Sequence, residues 1–252
     1  IPRLLPATPS SVITTQLNRK KQHATTFPWL AHVDSGRERK RTGTETRKEI
    51  HHPYRRPLYT LTAYRGQVTD SEYSGIFTFE GDWESDLKDK SSIRPNLETL
   101  RDAYGIKFIH RQIGTPEELR YYIKKWLKKG RGNYRHYKVG HFAFHGSPGV
   151  IWPGEGEVGV RLYQLERWIN GGAKGRVIFF DSCSTIDLSD KGKRIQVFLD
   201  RTKASAVVGF TEWVDWLESA AFELLVLHAL TDFESPRDAE AHLKEKYGNF
   251  VE

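Results

Sequence analysis

KVGHFAFHG at residues 138–146 and RVIFFDSC at residues 176–183 decide the fold. Each is an apolar run of strand length that stops abruptly at polar residues. A run that is apolar on both faces belongs to a strand covered on both sides, the usual condition of a parallel sheet. Between the two, LYQLERWI at 162–169 has helical apolar spacing and is closed by Asn170, Gly171 and Gly172. A crossover helix therefore joins neighbouring parallel strands.

The alternation continues in both directions. GIFTFEG at 75–81 and IKFIHR at 106–111 read as strands, with a helix between them at 94–104 carrying Leu97, Leu100 and Tyr104 on one stripe. Thr115, Pro116 and Glu118 give the cap, first-turn proline and acidic first turn of a helix running to Gly130. GVIW and EVGV between 149 and 160 predict a small hairpin around PGEG. Beyond residue 183 the pattern predicts a short helix near 191–203, a strand at 205–210, a helix from about Val214 to Leu230 and a last helix from Pro236 to about Tyr247. The expected class is α/β, a mainly parallel sheet with helices on both faces.

Composition narrows the function. The most apolar segment, AAFELLVLHAL at 220–230, is too short for a membrane span and contains Glu223 and His228, which argues against a membrane protein. The single cysteine, Cys183, excludes an internal disulfide and a multi-thiolate zinc site, and points to a reducing, cytoplasmic setting. No secretory signal is visible at the start, and the lack of any methionine implies that translation begins elsewhere than Ile1. Of the net charge of +7, residues 1–70 hold 13 Lys and Arg against 5 Asp and Glu, so the remainder is nearly neutral. With RKK at 19–21, RERKR at 37–41 and no sustained hydrophobic period, residues 1–74 read as a basic, largely disordered extension preceding a domain at 75–252. Such an extension either binds nucleic acid or an acidic partner electrostatically or is simply solvated. YTLTAY at 59–64 is its one candidate strand.

In an open parallel sheet the chemistry sits beyond the carboxyl ends of the strands. There the chain places His145-Gly146 and Asp181-Ser182-Cys183. A thiol becomes a competent nucleophile when an imidazole takes its proton, and the backbone N–H groups of Gly146 and Cys183 are candidates for an oxyanion hole. The blander alternatives are a small buried cysteine and a core or loop histidine. His141 adds a second histidine on the same strand, but without an evident carboxylate or thiolate set for a metal. Neither a metal nor a cofactor is expected. HGSPG at 145–149 is one substitution from a nucleophile elbow with Ser147, yet the glycines and proline that follow disfavour the helix such an elbow requires.

The blocks HFAFHG and VIFFDSC resemble the caspase-like cysteine peptidases, a clan that includes caspases, metacaspases, legumain, separase and the bacterial CHAT domains. The chain is also similar to small bacterial proteins carrying FHGSPG and SCST blocks. The resemblance covers about residues 75–232 and implies a caspase–haemoglobinase fold, a His145–Cys183 dyad and a protein or peptide substrate. Asp181-Ser182 before the cysteine and Ser184-Thr185 after it depart from the caspase block and lie nearer the CHAT and separase style. The loops that the clan uses for the residue before the scissile bond are acidic here. Glu80 and Asp82 follow the first strand, Asp181 precedes Cys183, and Glu212 and Asp215 follow SAVVGF, with no Lys or Arg from 205 to 236. Cleavage after Arg or Lys is the expectation. The alternative is a caspase-like scaffold or sensor without activity.

Overall fold

A computed structural model describes residues 13–15, 74–86, 88, 91–128, 134–154 and 158–251. The chain divides into two units, Ile1–Asn18 with Asp70–Glu252 and Arg19–Thr69, and all described residues belong to the first. The basic runs at 19–21 and 37–41 and the candidate strand at 59–64 lie outside the described residues.

The architecture is α/β. Strand β1 (Ile13–Thr15) is followed by β2 (Ile76–Glu80), helix α1 (Arg94–Tyr104), β3 (Phe108–Gln112), α2 (Pro116–Trp126) and β4 (Val139–Ala143). Three short strands follow, β5 (His145–Ser147), β6 (Val150–Trp152) and β7 (Val160–Arg161), then α3 (Leu162–Ile169) and β8 (Val177–Asp181). The remainder is α4 (Lys193–Thr202), β9 (Ala206–Phe210), α5 (Trp216–Asp232) and α6 (Pro236–Val251). The main sheet runs β1-β9-β8-β4-β2-β3, and every pairing in it is parallel. Apart from β1, this is a doubly wound order whose direction reverses between β2 and β4, where such sheets open a crevice at their carboxyl edge.

The central strands are buried along their whole length, and their alternation sorts side chains into two cores. Phe77, Phe79, Phe142, Ile178 and Phe180 pack with residues of α2, α3 and α4 on one face. Ile76, Val139, Phe179 and Val208 pack with α1, α5 and α6 on the other. Gly140 permits a close approach in the first core, because a Cβ there would overlap the Trp126 ring. Thr115 caps α2 by accepting the Glu118 N–H, as its sequence predicts. The last helix departs from helical geometry at Tyr247, near the predicted end.

Two elements differ from the sequence expectation. The turn after β4 is itself a strand: β5 leaves the main sheet and pairs antiparallel with β6, which pairs with β7, making a separate three-stranded sheet. Within the stretch assigned to the extension, Ile13–Thr15 adds an edge strand beside β9. No helix of the described residues is long and apolar enough to cross a membrane.

Candidate active site

Strands β4 and β8 are neighbours in register, with Ala143 opposite Asp181, so the chain leaves both at the same level. His145 and Cys183 emerge there and line one cavity of about 390 Å³, within the size range of small-molecule and peptide subsites. Gly146 holds the two segments together: a Cβ at that position would overlap the Cys183 carbonyl oxygen and lie 2.9 Å from its nitrogen. Only glycine lets these backbones approach so closely. The Cys183 N–H bonds to no other described residue, whereas Ser184 N donates to Glu212 O at 3.0 Å. Ser184 has φ +54°, a left-handed conformation that turns the chain sharply behind the cysteine.

His145 is exposed and oriented. Its Nε2–H donates to the Trp83 carbonyl at 2.7 Å, which leaves Nδ1 as the acceptor nitrogen of the neutral ring. The Trp83 indole meets the imidazole edge to face at 5.2 Å and Trp216 at 5.0 Å. Cys183 is half-buried, packs against the α1/α5/α6 core, and has its Sγ 3.9 Å from the Val214 carbonyl oxygen.

Of the five acids read as substrate contacts, Asp181 lines the cavity and the other four do not. Glu80 follows the alternation of β2 into the α1/α5 layer and is fully buried. It accepts from Trp83 Nε1 at 2.6 Å, Ile93 N and Ser92 Oγ at 2.8 Å, and His110 Nε2. Burial raises its pKa, but the bonds from His110, Trp83, Ile93 and Ser92 outweigh it and hold the carboxyl below its ordinary value. Asp82 accepts from Gln112, Asp215 caps α5 by accepting the Leu217 N–H, and Glu212 is exposed. The other acids on the cavity wall are Glu84 and Glu223, and its lining contains no Lys or Arg.

Sequence reasoning missed Trp83, Trp216 and Glu223. A backbone carbonyl such as that of Trp83 carries no sequence signal, but Glu223 does: it is a carboxylate inside the otherwise apolar run of α5. Its Oε2 accepts from Asn96 Nδ2 at 2.6 Å, while Oε1 is buried with no hydrogen-bond partner among the described residues. Burial first, then the negative charges of Asp181 and Glu80, push its carboxyl well above the ordinary carboxylate range. His141 lies in the same layer, stacked on Phe179, with Nδ1 3.3 Å from Thr78 Oγ1 and Nε2 3.3 Å from Asp181 Oδ2. It does not line the cavity that holds His145. The carboxylate set for which the sequence shows no evidence is thus supplied by Asp181 and Glu223, and one ligand atom from each of the three residues falls within 4.8 Å of the others.

Ser147 lies inside β5, its Oγ accepts from Trp152 Nε1 at 3.2 Å, and the next helix begins at Leu162. That is not the strand-to-helix turn of a nucleophile elbow.

A family model described as a family of unknown function (DUF6642) matches residues 73–251. The chain belongs to this family. In this DUF6642 member the matched region takes in β2 to α6, and hence every residue that lines the cavity. No curated protein matches the chain.

Proposed function

We propose that this domain is a caspase-like cysteine endopeptidase in which His145 and Cys183 form the catalytic dyad. The observation that carries the reading is the shared cavity at the carboxyl edge of β4 and β8, with His145 held through Nε2 by the Trp83 carbonyl. Nδ1 of His145 takes the Cys183 proton, and the thiolate attacks the scissile carbonyl carbon. The N–H groups of Gly146 and Cys183 receive the oxyanion. Collapse breaks the C–N bond, His145 returns the proton to the leaving amine, and a thioester remains on Cys183. Water deprotonated by His145 then attacks the thioester, releasing the acid and restoring the thiol. No step calls for a metal.

Asp181, Glu223 and Glu84, with the indoles of Trp83, Trp213 and Trp216 and no cationic side chain in the lining, favour a basic residue before the scissile bond. Carboxylates and aromatic faces are the two groups that hold a guanidinium or ammonium. Matched peptides ending in Arg, Lys, Asp and Leu test this, and preference for Asp or Leu defeats it.

One observation favours an inactive scaffold instead: the Cys183 thiol is directed at the Val214 carbonyl and packed on the core. Catalysis requires the thiol proton to pass to His145 instead. Rapid alkylation of Cys183 by iodoacetamide at neutral pH, slowed by His145→Ala, separates the two readings. Attachment of residues 1–74 to nucleic acid or an acidic partner is a separate proposal, resting on the charge excess alone.

A further inference from the structure

We infer that His141, Asp181 and Glu223 form a binding site for one divalent transition-metal cation of the zinc class, beneath the cavity floor. Three acceptor atoms converge from three elements: β4 supplies the imidazole, β8 one carboxylate and α5 the other. Nε2 of His141 is 3.3 Å from Asp181 Oδ2 and 3.9 Å from Glu223 Oε1. Ligands about 2.0–2.2 Å from a tetrahedral zinc stand roughly 3.4 Å apart, so an inward turn of the Glu223 carboxylate completes the geometry.

A cluster of acids alone would mean little. What points to a cation is Glu223 Oε1, fully buried, unpartnered among the described residues and aimed at His141. A buried carboxylate oxygen without a donor is costly, and a metal satisfies it. The groups behind the cluster also suit a metal site. Thr78 Oγ1 faces the other imidazole nitrogen, Nδ1, and Asn96 Nδ2 fixes the far oxygen of Glu223. Partners on the far side of each ligand orient it and set the tautomer that leaves Nε2 free to coordinate. A neutral imidazole and two carboxylates balance a charge of +2, and the nitrogen ligand favours zinc-class ions over magnesium or calcium. Asp181 and Glu223 reach the cavity wall, which leaves the remaining coordination position open to water or solute. Bound metal would occupy the charge that the proposed function reserves for a basic side chain. That consequence rests on the peptidase reading; the site does not.

Equilibrium dialysis and calorimetry of the full chain with zinc test it, and cobalt serves as a spectroscopic probe. The expected result is one zinc per chain, retained in Cys183→Ala, lost in His141→Ala and Glu223→Gln, and weakened about 10- to 100-fold in Thr78→Val. Cobalt should give visible d–d bands without a sulfur-to-cobalt charge-transfer band. The cobalt spectrum of the unmutated chain keeps the test decisive if a variant fails to fold, which circular dichroism monitors. No zinc bound, zinc that survives both ligand substitutions, or a thiolate charge-transfer band abolished by Cys183→Ala would overturn the site.

Discussion

Trp83 and His145 are joined twice, by the 2.7 Å hydrogen bond from the imidazole Nε2 to the Trp83 carbonyl and by the edge-to-face contact of their rings at 5.2 Å. Trp83 is in turn tied through its indole N–H to Glu80, which never touches His145. On the proposed peptidase reading Glu80 is therefore a positioning residue. Replacing it with alanine strands several buried donors and should cost about 3 kcal/mol or more of stability. Glu80→Gln should keep the fold and slow Cys183 alkylation without changing its extent. Equal alkylation rates in the variant and the unmutated chain would show that the tether does not act on the dyad.

Acid sensitivity follows from the same residue. Its carboxyl titrates lower in the folded chain than in the unfolded one, so its contribution is whole above the ordinary value near 4.5. It is lost as pH falls through the folded value, because the unfolded chain takes up the proton first. Urea unfolding from pH 7 down to pH 3 should show the stability gap between the unmutated chain and Glu80→Gln narrowing below about pH 4.5. A constant gap contradicts the assignment.

Glu223 works in the opposite sense. Its folded pKa is raised, so its contribution is fully present below the ordinary value of 4.5 and lost as pH rises toward the folded value. In chelator, Glu223→Gln should match the unmutated chain near pH 4 and exceed it increasingly toward pH 8. Lower stability of Glu223→Gln at pH 7 under those conditions would show that the buried carboxylate is favourable without a cation.

Gly140 tests the packing that places β4. Trp126 is fully buried and anchored by its indole bond to the Tyr137 carbonyl at 2.8 Å, so it has little room to yield. Gly140→Ala should cost about 1–3 kcal/mol, whereas Gly248→Ala, where an added Cβ meets nothing within 4 Å, should cost far less. Thermal unfolding of the pair checks the contrast.

Many caspases are cut in a linker after the cysteine. Here the chain from Cys183 to β9 contains α4, which buries Ile195, Phe198, Leu199 and Thr202. Activity is expected from the uncut chain. An active form always split between residues 185 and 204 would contradict this.

The runs that became β2, β4, β8 and β9 were legible because burial on both faces writes itself as continuous apolar sequence. Strand β1, of three residues, and β5, which pairs through β6, carry too few residues for a period to show. At the site, His145 and Cys183 were visible as strand endings, but the orienting partner of His145 is a backbone carbonyl and is not encoded in side-chain identity. The loop acids were read as one pocket. The alternation in β2 instead turns Glu80 into the layer beneath α1, and Glu223, approached from a distant helix, takes its place at the cavity wall.

The most direct test of the dyad is mass spectrometry of a peptide mixture incubated with the unmutated chain, Cys183→Ala and His145→Ala. New termini following Arg or Lys should appear with the unmutated chain, vanish with Cys183→Ala and fall about 10²- to 10⁴-fold with His145→Ala. Cleavage that persists in Cys183→Ala, or no cleavage by the unmutated chain, would contradict the account.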